Sequence, residues 1–353
     1  MRILIVKLSS IGDVVHTLPA AALLRRAMPG AHISWVVERR ASEILKGSPA
    51  IDELIEIDTR AWRKKALSKE TLADIRSKLG RARSGPSTNG AKAAQIDVAI
   101  DFQGLIKSGI VTLATGAARR IGFETGELRE KASRVFLSEQ VATSHEKHVI
   151  EKNIALARSV IEGEPSGETR YEFPIHVSPE DDEYAEKIIA RIQSPFAIIN
   201  PGGGWPTKLW ATDRYGEVAD WLSSERKMKS IVTFGPGEER MAEAVAASSQ
   251  SGSAQPAAST LKQYVALARR ASLFVGGDTG PLHLAAASGT PIVGIYGPTS
   301  PERNGPFDDK DIAIGRDLWC RTDCHRRSCW HWECMDIPVS EVVEAISSRL
   351  SKC

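Results

Sequence analysis

The segment K-L-S-S-I-G-D, residues 7–13, ends in a carboxylate shortly after an apolar run. A turn at the carboxyl end of a first parallel strand lies where such sheets bind ligands, and Gly12 lets a ligand approach the backbone closely. Asp13 could act as a general base that takes a proton from a hydroxyl group. It could equally cap the helix that follows. The absence of a Gly-x-Gly-x-x-Gly pattern disfavours a dinucleotide-dependent dehydrogenase.

The segment V-G-G-D-T-G-P-L-H, residues 275–283, is typical of a strand, a sharp turn and a helix start. Proline at the first helical position costs no hydrogen bond, and the amides around it point outward at the positive end of the helix dipole. A diphosphate fits such a helix start. Alternatively, the histidine is a structural residue of the helix whose hydrogen bonds are satisfied within the protein. The residues predicted to contribute are Asp278, Thr279, Gly280, Pro281 and His283.

Glycines also follow another predicted strand, in N-P-G-G-G-W-P-T-K, residues 200–208. Backbone at Gly203 and Gly204 would let a phosphate or sugar approach, and Lys208 would supply a positive charge. The lysine lacks the spacing and the following hydroxyl residue of a Walker P-loop, which disfavours ATP hydrolysis. An ordinary loop remains the alternative for the glycines. In F-G-P-G-E, residues 234–238, Glu238 could bind a ribose or cap a helix.

Four of the five cysteines fall within a short C-terminal stretch, at positions Cys320, Cys324, Cys329 and Cys334. Their spacing does not match the paired C-x-x-C of common zinc modules. A structural metal site, a redox-labile set of disulfides and thiols packed as small hydrophobes are all compatible with the pattern.

The elements that must position these residues are short apolar runs alternating with amphipathic stretches, which predicts parallel strands joined by helices. Predicted strands cover residues 3–6, 33–37, 98–101, 196–200, 231–234, 273–275 and 292–296. Predicted helices cover residues 105–114, 180–192 and 339–350. The pattern restarts after two prolines near residue 175, so we expect an α/β protein with two domains, a linker there and ligands bound in a central cleft.

The composition fits a globular enzyme of 353 residues, with 42% hydrophobic and 25% charged residues. No uncharged run approaches the ~20 residues needed to span a bilayer, and no signal peptide is evident, so we expect a cytoplasmic protein with reduced cysteines. Residues 60–92 hold ten Lys or Arg against two acids. This basic segment is either a solvated face or a site for an anionic partner. Within it, residues 80–95 are predicted to form a mobile loop.

With these motifs identified, the chain resembles the ADP-heptose:lipopolysaccharide heptosyltransferase family, which has the GT-B fold of two Rossmann-like domains. The most specific matches are S-S-I-G-D-V-V-H-T-L-P-A, residues 9–20, and D-T-G-P-L-H-L-A-A, residues 278–286. Supporting matches include residues 99–109 and 200–210. The resemblance implies an acceptor-binding domain at 1–175, an ADP-sugar-binding domain at 176–338 and a terminal helix at 339–353.

The resemblance further implies inverting transfer of L-glycero-D-manno-heptose from ADP-heptose to the lipopolysaccharide inner core, with Asp13 as the base and no required metal. Residues implied for the donor are Gly203, Gly204, Lys208, Glu238, Ser259, Asp278, Thr279, Gly280, Pro281 and His283. Residues implied for the acceptor are Ser10, Gly12, Arg60, Arg63, Lys64, Gln103, Lys107 and Arg120. The protein would be peripheral on the anionic cytoplasmic face of the inner membrane.

Two acceptors are compatible with the resemblance. The N-terminal motifs resemble type I members, which use the Kdo of Kdo2-lipid A, whereas the cysteine-rich stretch resembles type II members, which extend a later core. Rival functions are a non-catalytic sugar-nucleotide binding module, a sugar-nucleotide epimerase and a transferase with a UDP donor. Nucleic-acid binding is disfavoured because the sequence pI is about 8.2 and no nucleic-acid motif is present.

Overall fold

The computed structural model describes residues 1–64, 73–74, 77–78, 80, 95–162, 171–320, 328–329 and 332–352. Its contacts divide the chain into two compact units, Met1–His176 and Val177–Cys353. The boundary lies beside residue 175, where the sequence predicts the linker. The terminal helix belongs to the second unit rather than forming a separate segment.

The first unit is built on a six-stranded parallel sheet. Its strands are β1 (Arg2–Val6), β2 (His32–Glu38), β3 (Glu53–Ile57), β4 (Val98–Asp101), β5 (Arg119–Phe123) and β6 (Glu139–Val141), in the order β3-β2-β1-β4-β5-β6. Its helices are Ile11–Val15, Leu18–Ala27, Arg39–Ser42, Thr59–Lys64, Ile106–Ala114 and Val149–Arg158. Because helices cover both faces of such a sheet, the inner strands are mainly apolar, and residues 3–6 of β1 are fully buried.

The second unit repeats this plan. Its strands are β7 (Phe196–Asn200), β8 (Lys229–Phe234), β9 (Ala254–Ala258), β10 (Leu273–Gly277), β11 (Ile292–Tyr296) and β12 (Ile312–Gly315), in the order β12-β11-β10-β7-β8-β9. Its helices are Pro179–Ile192, Thr212–Arg226, Glu239–Ser248, Leu261–Ala268, Gly280–Ala287, Pro301–Asn304 and Val339–Leu350. The last helix buries Val342 and Ile346 in the core of this unit.

Both sheets have the doubly wound order in which the first strand lies beside the fourth. In the first unit the chain order reverses between β1 and β4, and in the second between β7 and β10. In doubly wound sheets the loops after two such strands diverge to opposite faces, and ligands bind in the crevice at the carboxyl ends. The motifs that contain Asp13, Gln103, Lys208 and Asp278 follow these four strands, whereas the motif that contains Glu238 follows β8.

The structure confirms every strand and helix expected from the sequence, with ends shifted by a few residues. It adds β3, β5, β6, β9 and β12, which lie outside the central pair of each sheet and are shorter or more polar. Within the described ranges, none of the helices has both the length and the hydropathy that a transmembrane span requires. The loop predicted at 80–95 lies almost wholly outside the described residues.

Candidate active site

Asp13 lies in the helix Ile11–Val15, directly beyond the carboxyl end of β1. Its Oδ2 atom accepts hydrogen bonds from the Ser10 amide at 2.8 Å and from the Ser10 hydroxyl at 3.1 Å. Its Oδ1 atom accepts a 2.7 Å hydrogen bond from the Arg129 guanidinium and lies 3.7 Å from Lys7 Nζ. The side chain remains 14% exposed, so one face of the carboxylate is open to a ligand.

The charges around Asp13 keep it ionised. Burial alone would raise the pKa of its carboxyl, but Lys7, Arg129 and the Ser10 amide outweigh that effect and hold the pKa well below its usual range. The carboxylate is therefore available to accept a proton throughout the physiological pH range. It also accepts the capping hydrogen bond of the Ser10 amide at the start of its helix. The role of Asp13 as a general base stays a prediction.

Beneath this loop lies a buried network that starts at the end of β4. Gln103 is 3% exposed, and its Oε1 atom accepts hydrogen bonds from the amides of Leu8 at 3.0 Å and Ser9 at 3.2 Å. The Gln103 side chain thus holds the backbone that carries Asp13, and its expected contact with the acceptor stays a prediction. A second hydrogen bond connects the same two segments, since Lys7 Nζ donates to the Phe102 carbonyl at 2.6 Å.

Asp101 anchors the same network. Its Oδ1 atom accepts hydrogen bonds from the amides of Gln103 at 2.8 Å and Gly104 at 3.1 Å, and its Oδ2 atom accepts one from the Ser108 hydroxyl at 2.9 Å. Burial raises the pKa of Asp101 to about 6, although these hydrogen bonds and Lys7 act in the opposite direction. The group therefore titrates near neutral pH.

Replacing Asp101 by asparagine should change how stability depends on pH. Because the folded-state pKa is raised, the stability contributed by protonated Asp101 is present below its unfolded pKa and lost as pH rises through about 6. The difference in free energy of unfolding between Asp101→Asn and the parent should therefore shift in favour of the variant by roughly 2 kcal/mol from about pH 4.5 to about pH 7.5. Urea denaturation at both pH values measures this. Asp309→Asn, at an exposed carboxylate, is the control, and a difference independent of pH would contradict the prediction.

The other residues expected at the acceptor are dispersed. Ser10 is exposed beside Asp13 and Gly12 is buried beneath it. Lys107 lies 3.5 Å from Glu38, whose carboxylate also accepts a hydrogen bond from the Thr59 hydroxyl. Arg60, Arg63 and Lys64 fall in the helix Thr59–Lys64, of which the Arg60 side chain is exposed. The side chains of Arg63 and Lys64 lie outside the described residues.

Arg120 is not brought to the Asp13 loop. It lies near the start of β5, away from the carboxyl edge. Its guanidinium donates to the carbonyls of Phe136 at 2.9 Å and Ala117 at 2.8 Å. These contacts hold the Arg120 side chain at the opposite end of the strand, and its expected contact with the acceptor stays a prediction.

In the second unit, Asp278 is the centre of a polar cluster at the end of β10. Its Oδ2 atom accepts hydrogen bonds from Lys208 at 2.6 Å and Thr299 at 2.7 Å. Its Oδ1 atom lies 3.1 Å from His283 Nε2 and accepts a 2.9 Å hydrogen bond from Asn304. The side chain is only 4% exposed, so Asp278 orients the lysine and histidine rather than presenting its charge to a ligand.

The electrostatics of this cluster favour an anionic Asp278. Burial would raise the pKa of its carboxyl, but the hydrogen bond and charge of His283 and the charge of Lys208 hold it well below the usual range. Lys208 also donates to the Asp278 carbonyl at 3.0 Å and lies 4.6 Å from the centre of the Trp205 ring. The ammonium group is thus fixed in place at the end of β7.

The helix Gly280–Ala287 begins beside this cluster. Thr279 precedes its first turn and donates its hydroxyl to the Gly277 carbonyl at 3.3 Å, and Pro281 occupies the start of the helix as expected. The Pro281 carbonyl accepts a 2.9 Å hydrogen bond from Tyr264, which fixes the first turn. An anion at this helix start would meet the outward amides and the dipole.

The glycine loop after β7 lies against Glu238. A Cβ atom added at Gly202 would lie 2.5 Å from Glu238 Oε2, and one at Gly203 would lie 2.8 Å from Leu209. Gly204 has open space around it. The Glu238 carboxylate accepts a 2.9 Å hydrogen bond from the Gly235 amide. Ser259, which directly follows the edge strand β9, is two strands away from β7.

Among the cysteines, Cys320, Cys329 and Cys334 are half-buried, and Cys324 lies outside the described residues. Within the part of the chain that the structure describes, no group of three or more His, Cys, Asp or Glu side chains is arranged to hold a metal ion. The hypothesis of a metal site therefore stays a prediction.

Several residues of these clusters were not selected from the sequence: Lys7, Asp101, Arg129, Gly202, Thr299 and Asn304. Thr299 and Asn304 lie in G-P-T-S-P-E-R-N-G-P, residues 297–306. This segment is polar, contains glycine and follows a predicted strand, as the selected motifs do. Arg129 carries no local signal, because its partner Asp13 is 116 residues away.

Comparisons with known proteins identify the family of the chain. The profile of glycosyltransferase family 9 (heptosyltransferase) matches residues 90–331. The chain is 30% identical to lipopolysaccharide heptosyltransferase 1 of Pseudomonas aeruginosa over 93% of this chain and 87% of the relative. It is 25% identical to lipooligosaccharide heptosyltransferase 2 of Haemophilus influenzae over the full length of both.

The fold is that of a solved relative. The structure of the Escherichia coli heptosyltransferase WaaC with ADP superposes with a TM-score of 0.77 at 24% identity, covering 99% of this chain and 100% of that one. The two doubly wound units are therefore those of the GT-B fold. The family match over most of the chain, together with the fold, shows that this protein is an enzyme of glycosyltransferase family 9, the heptosyltransferases.

Proposed function

We propose that the chain transfers L-glycero-D-manno-heptose from ADP-heptose to the Kdo of Kdo2-lipid A in lipopolysaccharide core synthesis. The observation that carries this proposal is the Asp13 carboxylate, ionised and partly open at the carboxyl end of β1. The name of the Pseudomonas aeruginosa relative supports the reaction. Because the acceptor is lipid-anchored, we place the enzyme at the cytoplasmic face of the inner membrane.

In the proposed reaction, the acceptor oxygen attacks the anomeric carbon of the heptose while the bond to the diphosphate breaks. Asp13 accepts the proton of the acceptor hydroxyl, and ADP departs with the bonding electron pair. A single displacement inverts the anomeric configuration and forms no glycosyl-enzyme. Arg129 must release Asp13 Oδ1 or share it with the acceptor hydroxyl, since both compete for the same carboxylate.

The departing ADP requires positive charge. We propose that Lys208 and the amides at the start of the helix Gly280–Ala287 supply it, with Asp278 orienting Lys208 and His283. Fixed charges and dipoles of this kind can stabilise the departing diphosphate in place of a divalent ion. We therefore expect that transfer requires no metal. Glu238, Gly203, Gly204 and Ser259 remain proposed contacts of the donor.

The identity of the acceptor rests on two observations. Identity is higher to the relative named heptosyltransferase 1, at 30%, than to the one named heptosyltransferase 2, at 25%. Arg60 lies in the helix Thr59–Lys64, just beyond β3, and its side chain is exposed. A guanidinium group there could bind the anionic groups of Kdo and lipid A. A later core acceptor is the alternative.

The acceptor assignment predicts a preference that can be measured directly. Heptose transfer from ADP-heptose should proceed on Kdo2-lipid A and not on the same acceptor already carrying one heptose. The assay follows ADP release and product mass with EDTA present, and UDP-sugars serve as control donors. Transfer only to the heptose-bearing acceptor would assign the enzyme to type II, and transfer to neither, with ADP-heptose bound, would show that the acceptor lies elsewhere.

A further inference from the structure

One surface of the first unit exposes an unusual amount of apolar side chain. Of the seven large hydrophobic side chains exposed in the described residues, four lie close together in the fold. On the helix Ile106–Ala114, Ile106 is 39% exposed, Ile110 50% and Leu113 48%. Their spacing of four and three residues places them on one side of the helix. Val135, in the short 3-10 helix Lys131–Phe136, is 74% exposed. We call these four residues the apolar face.

The two helices that carry the apolar face are packed together. A side chain at Gly109 would overlap the ring of Phe136, so the glycine allows the helices to touch. The amide of Ile106 donates a 2.6 Å hydrogen bond to Glu130 Oε2, which joins their adjacent ends. The opposite side of the longer helix is buried through Ser108, Val111 and Thr112. The apolar face is therefore held outward by a fixed structure.

The charge beside the apolar face is positive. Lys131 and Arg134 are exposed on the same short helix as Val135, and the neighbouring Glu130 carboxylate caps the amide of Ile106. Exposed apolar side chains bordered by basic groups suit an interface of acyl chains and anionic headgroups. A symmetric contact between two copies through this surface would instead bring the basic groups of both copies into one interface, where like charges repel each other.

We propose that the apolar face, with Lys131 and Arg134, docks on the surface of an anionic lipid bilayer. Two weak signals, insertion of apolar side chains and attraction of the basic groups to headgroups, together give stable binding where either alone is marginal. Within the first unit this surface is continuous with the candidate active site, because Arg129, two residues before Lys131, contacts Asp13 at 2.7 Å.

This position has a consequence for catalysis, which rests on the function proposed above. An acceptor sugar attached to lipid A stays at the level of the headgroups. Docking through the apolar face holds the Asp13 edge of the sheet at that level, so the acceptor hydroxyl can reach the base without leaving the bilayer.

Co-sedimentation with vesicles tests the proposal without any sugar substrate, so failure of the transfer chemistry leaves the test intact. The full chain should bind vesicles of phosphatidylethanolamine and phosphatidylglycerol and bind weakly to phosphatidylcholine alone. Ile110→Gln with Leu113→Gln should weaken partition into the anionic vesicles by about tenfold or more, because apolar insertion is lost. Lys131→Gln with Arg134→Gln should weaken it by a similar factor and reduce its dependence on salt.

Matched controls use exposed residues of the second unit. Trp319→Gln removes a side chain that is 86% exposed, and Lys227→Gln with Lys310→Gln removes two exposed charges. All variants should keep the circular dichroism of the parent, and the control variants should keep its vesicle binding. The proposal would be overturned if the parent did not bind anionic vesicles. It would also be overturned if the two double variants, Ile110→Gln with Leu113→Gln and Lys131→Gln with Arg134→Gln, both bound them as well as the parent. A third contradicting result would be that the parent is a dimer and that these variants are monomers which still bind vesicles.

Discussion

Replacement of Asp13 by asparagine is expected to lower kcat for heptose transfer by about 10²–10⁴-fold, the range typical of a lost general base. Asparagine has the shape of aspartate and can still accept the hydrogen bond of the Ser10 amide, so the cap of the helix Ile11–Val15 is retained. What it cannot do is take the proton of the acceptor hydroxyl. Initial rates of ADP release at saturating donor and acceptor measure the effect.

The variant Ser10→Ala is the control for this experiment. It removes the hydroxyl that contacts Asp13 Oδ2 but keeps the carboxylate, so the loss of kcat should stay below about tenfold. In the parent, the lowered pKa of Asp13 means that this group produces no acidic limb of the rate profile above about pH 4. Asp13→Asn with parental activity would reduce Asp13 to a helix cap and remove the proposed mechanism.

The second large effect is expected for Lys208→Met. The substitution keeps an unbranched side chain over Trp205 but removes the ammonium group proposed to stabilise the departing diphosphate. We expect kcat/KM to fall by about 10²–10³-fold, comparable to the loss of one strong electrostatic contact to a developing anion. The affinity for ADP should fall as well, since the same charge acts on the product, and titration calorimetry measures that change.

Lys227→Met, at an exposed lysine of the same unit, is the matched control and should leave both quantities unchanged. Lys208→Arg should rescue poorly, because the planar guanidinium does not reproduce the compact contact with Asp278. If Lys208→Met bound ADP and turned over like the parent, the positive charge at the leaving group would have to come from elsewhere, and the start of the helix Gly280–Ala287 would be the next candidate.

Much of the candidate site could be predicted from the sequence because its residues are local to strand ends. Asp13, Lys208 and Asp278 each lie within eight residues of the end of a strand. The carboxyl ends of parallel strands meet at one edge of a sheet. Gln103 satisfied the same rule, yet its side chain turns inward to the amides of Leu8 and Ser9. Position at a strand end predicts proximity to the site, and only packing decides which way a side chain points.

The sequence by itself determined the alternation of strands and helices, the two repeated halves and the strand ends that carry the reactive groups. These features depend on local periodicity and on glycine and proline at turns, which act over a few residues. The sheet order decided the rest, by bringing Arg129 to Asp13 and Asn304 to Asp278 across long separations. It also decided which side of the helix Ile106–Ala114 is buried, and so left Ile110 and Leu113 exposed. Helical periodicity places residues on one face, but whether that face is covered depends on the neighbours that tertiary packing supplies.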